Sequence, residues 1–142
     1  MYKQLIQPYH GKMYQYVRNH FSQVKVFLHS CGAIAPLIPS LIDAGVDILN
    51  PVQISARGMN PFVLKKEYGR QIVFWGGGIN TQHTLNNGSI DEIKNETCDM
   101  IDIFPPGRGY VFNQVHNIQA NIIPEKILAV YDTALSYRAQ CI

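Results

Sequence analysis

The stretch Val26-Phe27-Leu28-His29-Ser30-Cys31-Gly32 begins as a short apolar run and ends in polar residues. The apolar run predicts a buried strand, which places His29 and Cys31 at its carboxyl end. Because residues two apart in an extended chain point to the same side, we expect the imidazole and the thiol to share one space. Such a pair is half of a zinc ligand set. In parallel α/β proteins, the carboxyl ends of strands are also where ligands bind and reactions occur.

Three further apolar runs resemble the first, at residues 47–50, 72–75 and 110–113. Each is nearly continuous in hydrophobicity, which predicts a strand buried on both faces. A polar or glycine-rich stretch and then a helical pattern follow each run. This alternation indicates an α/β fold whose parallel strands are joined by right-handed crossovers.

Helical spacing and end signals predict five helices. Their marker residues are Leu5, Tyr9, Met13, Val17 and Phe21 (bent or shortened by Pro8 and Gly11); Leu37, Ile38, Leu41 and Ile42 before Gly45; residues 60–68; Ser89 and Glu92 before Ile93, Thr97, Met100 and Ile101; and Pro124 before Ile127, Leu128, Tyr131, Ala134 and Leu135.

The length and composition of the chain limit both its architecture and its function. Its 142 residues, 46% hydrophobic and 15% charged, are enough for one globular domain. Four strands are too few to close a barrel, which takes about 250 residues, so the sheet is either small and open or half of a barrel. A net charge of +2 without a basic cluster excludes an obvious nucleic-acid partner. The apolar runs are too short to cross a membrane. With no signal peptide and three dispersed cysteines, we expect a reducing, cytoplasmic location.

Beyond the first pair, His116 is the candidate for a third metal ligand. It follows the fourth run, and the carboxyl ends of parallel strands share one edge, so it opens onto the same side as His29. The alternative is a loop histidine that holds backbone. Residues at the ends of the second and third runs and just after them are candidates for substrate binding. Amide side chains there can equally form hydrogen bonds with backbone groups of the loops. These candidates are Asn50, Gln53, Trp75, Gly77 and Asn80.

Several other reactive or unusual residues are expected to have structural roles. His10 and His20 are predicted to lie on the surface of the leading helix, and Cys98 and Cys141 to be inert or exposed on helices. The run 105–109 precedes the fourth strand, at the opposite edge from the candidate site, so we expect it to serve the backbone.

Taken together, five segments resemble the carboxyl-terminal half of the uroporphyrinogen decarboxylase superfamily, which includes corrinoid methyltransferases. The resemblance runs from the leading helix to the end of the chain. Its segments are residues 27–32 (FLHSCG), 43–53 (DAGVDILNPVQ), 74–78 (FWGGG), 109–113 (GYVFN) and 124–127 (PEKI).

The resemblance implies that residues 1–142 are the last four strands of a (β/α)8 barrel. In the methyltransferase branch, a His-x-Cys pair and a later Cys bind zinc, which activates a thiol, and the methyl group comes from a corrinoid on a partner protein. In this chain His116 stands at or near the position of that later Cys. Here His29, Cys31 and His116 would be the ligands. The alternative is a uroporphyrinogen III decarboxylase, although Val115-His116-Asn117 departs from the Gly-His-Gly of that branch. A third reading is a non-catalytic remnant that associates through open sheet edges. In each case we expect the isolated chain to be inactive.

Overall fold

The computed structural model describes residues 1–104 and 109–140, with side chains as far as residue 137. Within these ranges the chain alternates between helices and short strands. The elements in order are α1 (Tyr2–Leu5), α2 (Gln7–His20), β1 (Phe27–His29), a 3-10 turn (Ala35–Leu37), α3 (Ile38–Ala44), β2 (Ile48–Asn50), α4 (Pro61–Tyr68), β3 (Val73–Trp75), α5 (Thr84–Asn87), α6 (Ile90–Ile103), β4 (Tyr110–Val111) and α7 (Pro124–Gln140). Residues 105–108 and Cys141, for which the sequence predicts structural roles, lie outside the described residues.

The four strands form one parallel sheet in the order β1-β2-β3-β4. The predicted α/β class is therefore confirmed. β2, β3 and β4 are shorter than their apolar runs, whereas β1 has the length of its run and is displaced by one residue, so that it ends on His29 itself. α5 is a further short helix that the sequence pattern does not predict.

The two faces of the sheet differ in burial, so the prediction that the strands are buried on both faces is wrong for the described chain. Leu49 and Phe74 lie opposite each other in the register, and both are fully buried. They share a core with helix residues such as Ile38, Leu41 and Leu64. On the other face, Phe27 is 47% exposed. Helices cover one side of the sheet, and strands buried on both faces would need a second layer.

The end signals of the middle helices are confirmed. Gly45 adopts φ 103°, and its N–H donates to Ile42 O, which closes α3. Ser89 Oγ accepts from Glu92 N–H at 3.2 Å, while the Glu92 carboxylate accepts from Ser89 N–H at 2.7 Å. The predicted inward residues of α6, which are Ile93, Thr97, Met100 and Ile101, are all buried.

The apolar faces predicted for the first and last helices are partly wrong. Tyr9 and Met13 are exposed, whereas Tyr14 is buried against Gly45. In α7 the exposed residues include Leu128 and Leu135, and the buried ones are Ala129 and Val130. The reason is that these amphipathic helices carry apolar residues on more than one side, so spacing alone does not identify the face that packs.

The leading helix is interrupted rather than bent. α1 ends at Leu5, Pro8 lies in the first turn of α2, and Gly11 lies within α2. Pro8 fits there because the first turn of a helix needs no N–H donor. His20 is exposed as predicted, but His10 is half-buried and its Nδ1 lies 3.1 Å from Tyr2 Oη.

An ion pair attaches α2 to the amino-terminal edge of the sheet. Arg18 Nη2 donates to Asp47 Oδ2 at 2.9 Å and to Gly45 O at 2.6 Å. The same carboxylate oxygen accepts from Val26 N–H at 2.7 Å. These bonds fix the amino-terminal edge and leave the carboxyl-terminal edge for other residues. No helix among residues 1–104 and 109–140 is long and apolar enough to span a membrane.

Candidate functional site

The candidate site lies at the carboxyl-terminal edge of the sheet, where the last residue of each of three neighbouring strands is polar or aromatic. β1 ends at His29, β2 at Asn50 and β3 at Trp75. His29 and Asn50 are partners in the β1–β2 register, so their side chains emerge from the same face. Parallel pairing therefore brings together residues that are 21 positions apart in the sequence.

Hydrogen bonds fix the positions of these side chains relative to one another. Asn50 Nδ2 donates to Trp75 O at 3.1 Å, and Asn50 Oδ1 lies 2.7 Å from His29 Nδ1. The other ring nitrogen of His29, Nε2, lies 3.5 Å from Cys31 Sγ. The prediction that this imidazole and thiol share one space is confirmed, and both side chains are exposed.

Gln53 fixes the loop that carries Cys31. Its Oε1 accepts a hydrogen bond from Gly32 N–H at 2.7 Å, across the gap between the loops that follow β1 and β2. Gly32 adopts φ 94°, a backbone conformation that residues with a Cβ rarely take. Gln53, predicted to bind substrate, has its carbonyl oxygen committed to the protein backbone.

A cavity of about 410 Å³ opens beside His29 and extends to the loop after β4. Its lining residues are His29, Asn50, Asn113, Gln114, Val115, His116, Asn117 and Gln119. A cavity of this volume matches the lower range for small-molecule sites. None of these eight described residues is Asp, Glu, Lys or Arg, and the polar groups that they present are amides and imidazoles.

The predicted ligand set is only partly assembled. His29 and His116 line the same cavity, and Cys31 lies beside His29. Among the described residues, however, no group of three or more His, Cys, Asp or Glu side chains is close enough together to hold a metal. The His29–Cys31 pair nevertheless fits zinc: a tetrahedral ion with Zn–N of about 2.0 Å and Zn–S of about 2.3 Å separates those two atoms by about 3.5 Å.

Comparison with known protein families identifies the family of this chain. A family model described as uroporphyrinogen decarboxylase (URO-D) matches residues 1–137 of the 142-residue chain. The chain belongs to the uroporphyrinogen decarboxylase family. No curated protein matches it. The sequence resemblance is therefore confirmed at the level of the family, whose fold is a (β/α)8 barrel, and the four parallel strands are consistent with part of such a barrel.

Three other residues that were predicted to bind substrate are not among the described residues that line the cavity. Trp75 is half-buried, with its ring edge-on to Phe27 at 5.3 Å. Gly77 is buried at φ 85°, and a Cβ there would lie 2.9 Å from Val52 Cβ. Asn80 Oδ1 accepts from the N–H groups of Gln82 and His83, which closes the turn before α5.

Sequence reasoning missed the amides of the loop after β4. Asn113, Gln114, Asn117 and Gln119 line the cavity, and Gln114 Oε1 also accepts from Tyr131 Oη–H at 2.6 Å. Their position after a strand of the parallel sheet could have identified them, because that is the rule which singled out His116. Burial raises the pKa of the Tyr131 hydroxyl, which keeps it a neutral donor to Gln114.

Proposed function

We propose that this chain forms part of a zinc-dependent methyltransferase site of the uroporphyrinogen decarboxylase family. One observation carries the proposal: His29 Nε2 and Cys31 Sγ lie 3.5 Å apart, the separation of two donors on one tetrahedral zinc. Both side chains are exposed at the strand edge, where a metal can reach them.

His116 is proposed as the third zinc ligand. It lies on the loop after β4 and lines the same cavity as His29, which places it on the side of the sheet where the other two donors lie. Three protein ligands leave a fourth position open, which is the arrangement of catalytic rather than structural zinc sites.

The proposed reaction moves a methyl group onto the sulfur of a small thiol. Zinc, when bound, lowers the pKa of a ligating thiol so that its anion forms near neutral pH. The methyl donor is proposed to be a corrinoid carried by a partner protein. Asn113, Gln114, Asn117 and Gln119 would orient the polar part of the thiol substrate through hydrogen bonds. The proposed location is the cytoplasm, where thiols remain reduced.

The spacing of His29 and Cys31 favours methyl transfer over decarboxylation of uroporphyrinogen. Decarboxylation needs no metal, so it gives no reason for an imidazole and a thiol at zinc spacing. This observation supports the methyltransferase proposal over the decarboxylase and over a non-catalytic remnant.

Metal binding by the purified chain tests the proposal. Cobalt(II) added to the metal-free protein should give the thiolate-to-cobalt charge-transfer band of a Cys-ligated ion, and zinc should displace it stoichiometrically. Cys31→Ser should lose the band, and His116→Ala should weaken binding.

Cys98→Ser is the matched control. Cys98 is a half-buried helix thiol whose pKa is raised by burial and next by the nearby carboxylates of Asp102 and Asp99, so this variant should bind cobalt like the wild type. Equal cobalt binding by Cys31→Ser and the wild type would contradict the proposal.

Turnover tests the reaction itself. Barrel enzymes draw catalytic groups from several strand ends, and the described residues supply four strands of a barrel of eight, so we expect no methyl transfer by the chain alone. Mixing with the separately expressed first half of a related family member should restore transfer of methyl groups to a thiol. Release of carbon dioxide from uroporphyrinogen by the mixture would instead assign the chain to the decarboxylase branch.

A further inference from the structure

Both polar atoms of the Asn50 side-chain amide make hydrogen bonds, which fixes the orientation of the amide. One end faces Trp75 O at 3.1 Å, and the other faces His29 Nδ1 at 2.7 Å. A backbone carbonyl oxygen only accepts hydrogen bonds, so the end that faces it must be the amide NH2. The end that faces His29 is therefore the amide oxygen. The reverse orientation would place two acceptor oxygens against each other.

The orientation of Asn50 in turn decides where His29 carries its hydrogen. Because the amide oxygen only accepts, His29 Nδ1 must be the donor and carries the hydrogen. A neutral imidazole has one N–H, so Nε2 holds a free lone pair. That nitrogen is the one that lies 3.5 Å from Cys31 Sγ, at the mouth of the cavity.

We propose that Asn50 is a positioning residue that sets the tautomer and ring orientation of His29. The backbone of β3 holds Asn50 through Trp75 O, and Asn50 holds His29, so the ends of three strands together aim Nε2 outward. The consequence for metal binding rests on the proposed function, because Nε2 then becomes the donor atom offered to zinc. Partners of this kind restrict a ligating imidazole to one tautomer and raise metal affinity.

The tautomer can be tested without any metal. Nitrogen-15 NMR of the metal-free wild type at mildly alkaline pH should show His29 as the Nδ1–H form. Asn50→Leu, which lacks the acceptor, should shift His29 toward the Nε2–H form that dominates for free imidazole side chains in water. Asn50→Asp keeps an acceptor oxygen and should retain Nδ1–H.

The matched control is Asn113→Leu, which removes an amide from the same cavity without removing an acceptor from His29. It should leave the His29 spectrum unchanged. An Nε2–H form in the wild type, or an unchanged spectrum in a folded Asn50→Leu variant, would overturn the proposal. If Asn50→Leu fails to fold, the wild-type spectrum decides alone, and an Nε2–H form there overturns the proposal.

Zinc affinity tests the consequence for the metal. Asn50→Leu should bind zinc about 10–100-fold more weakly than the wild type, while Asn50→Asp and Asn113→Leu should stay within about tenfold. Wild-type affinity in Asn50→Leu would refute the metal role of Asn50. A wild type that binds no zinc would refute the proposed function instead, and the metal-free spectrum would then decide the positioning role alone.

Discussion

The same four strands form both faces of the sheet, yet the two faces differ in how far their side chains are buried. The helix-covered face presents Leu49 and Phe74, both fully buried in a core shared with α3 and α4. The uncovered face presents Phe27, which is 47% exposed, and ends in His29 and Asn50 beside the cavity. One face therefore stabilises the chain, and the other is available for ligands and for a partner. In a complete barrel the uncovered face would point inward, which explains why its residues are neither fully polar nor fully buried.

A pair of identical substitutions gives the largest expected contrast. Phe74→Ala on the covered face should cost about 3–5 kcal/mol of unfolding free energy, because it leaves a cavity in the core. Phe27→Ala on the uncovered face should cost only about 1–2 kcal/mol, because much of its ring is already exposed and it loses only partial burial and an edge-on contact with Trp75. Urea denaturation measures both values. Equal losses would show that a second layer covers Phe27 in solution.

Two glycines near the site provide the second contrast. Gly77→Ala should cost about 2–4 kcal/mol, since φ is 85° and the new Cβ would collide with Val52. Gly32 also has a positive φ, of 94°, but a Cβ there meets nothing within 4 Å. Gly32→Ala should therefore cost only about 1 kcal/mol. Thermal melts of both variants measure the difference, and a Gly32 penalty as large as that of Gly77 would contradict it.

The uncovered face and the open edges at β1 and β4 should make the isolated chain associate. Burying one phenylalanine is worth about 1.5–3 kcal/mol, and no strand of the described residues pairs with the outer edge of β1 or of β4, which leaves backbone groups unpaired there. Light scattering coupled to size exclusion should find dimers or larger species. Phe27→Lys should shift the chain toward monomer, whereas Phe62→Lys, at a phenylalanine of α4 that is even more exposed, should not. A sharp wild-type monomer peak would count against the open-edge account.

The smallest expected effect concerns the cap of α6, a helix whose inward face is buried. Ser89→Ala should cost about 1 kcal/mol, since it removes the hydroxyl that accepts from Glu92 N–H. Ser136→Ala, at an exposed position within α7, should cost nothing measurable and is the control.

The cap of α6 should also make the stability of the folded chain depend on pH. Hydrogen bonds from the Ser89 backbone and then from its hydroxyl lower the pKa of Glu92 below its usual 4.5. A depressed carboxyl pKa contributes stability that is complete above pH 4.5 and is lost as the pH falls through the lower, folded value. Acid titration of stability should therefore be shallower in Ser89→Ala than in the wild type, and parallel curves would contradict this assignment.

Much of the site was predictable because strand ends follow local rules. The position of His29 and Cys31 after an apolar run, together with side-chain alternation, was enough to predict that they share a space. The same reasoning singled out His116 and Asn50, which line the cavity with His29. It did not reveal that the side-chain oxygens of Gln53 and Asn80 accept hydrogen bonds from backbone N–H groups. Those N–H groups come from a neighbouring loop for Gln53 and from a local turn for Asn80.

The sequence by itself determined the alternation of the four strands with the longer helices, the capping of α3 and α6 and the family to which the chain belongs. Those features depend on neighbouring residues, through apolar runs, glycine conformations and cap side chains. Only the tertiary structure decided which face of α2, of α7 and of the sheet is buried, since burial depends on what packs against each surface. It also decided the role of Asn50, because the carbonyl that orients this amide lies on another strand, 25 residues away in the sequence.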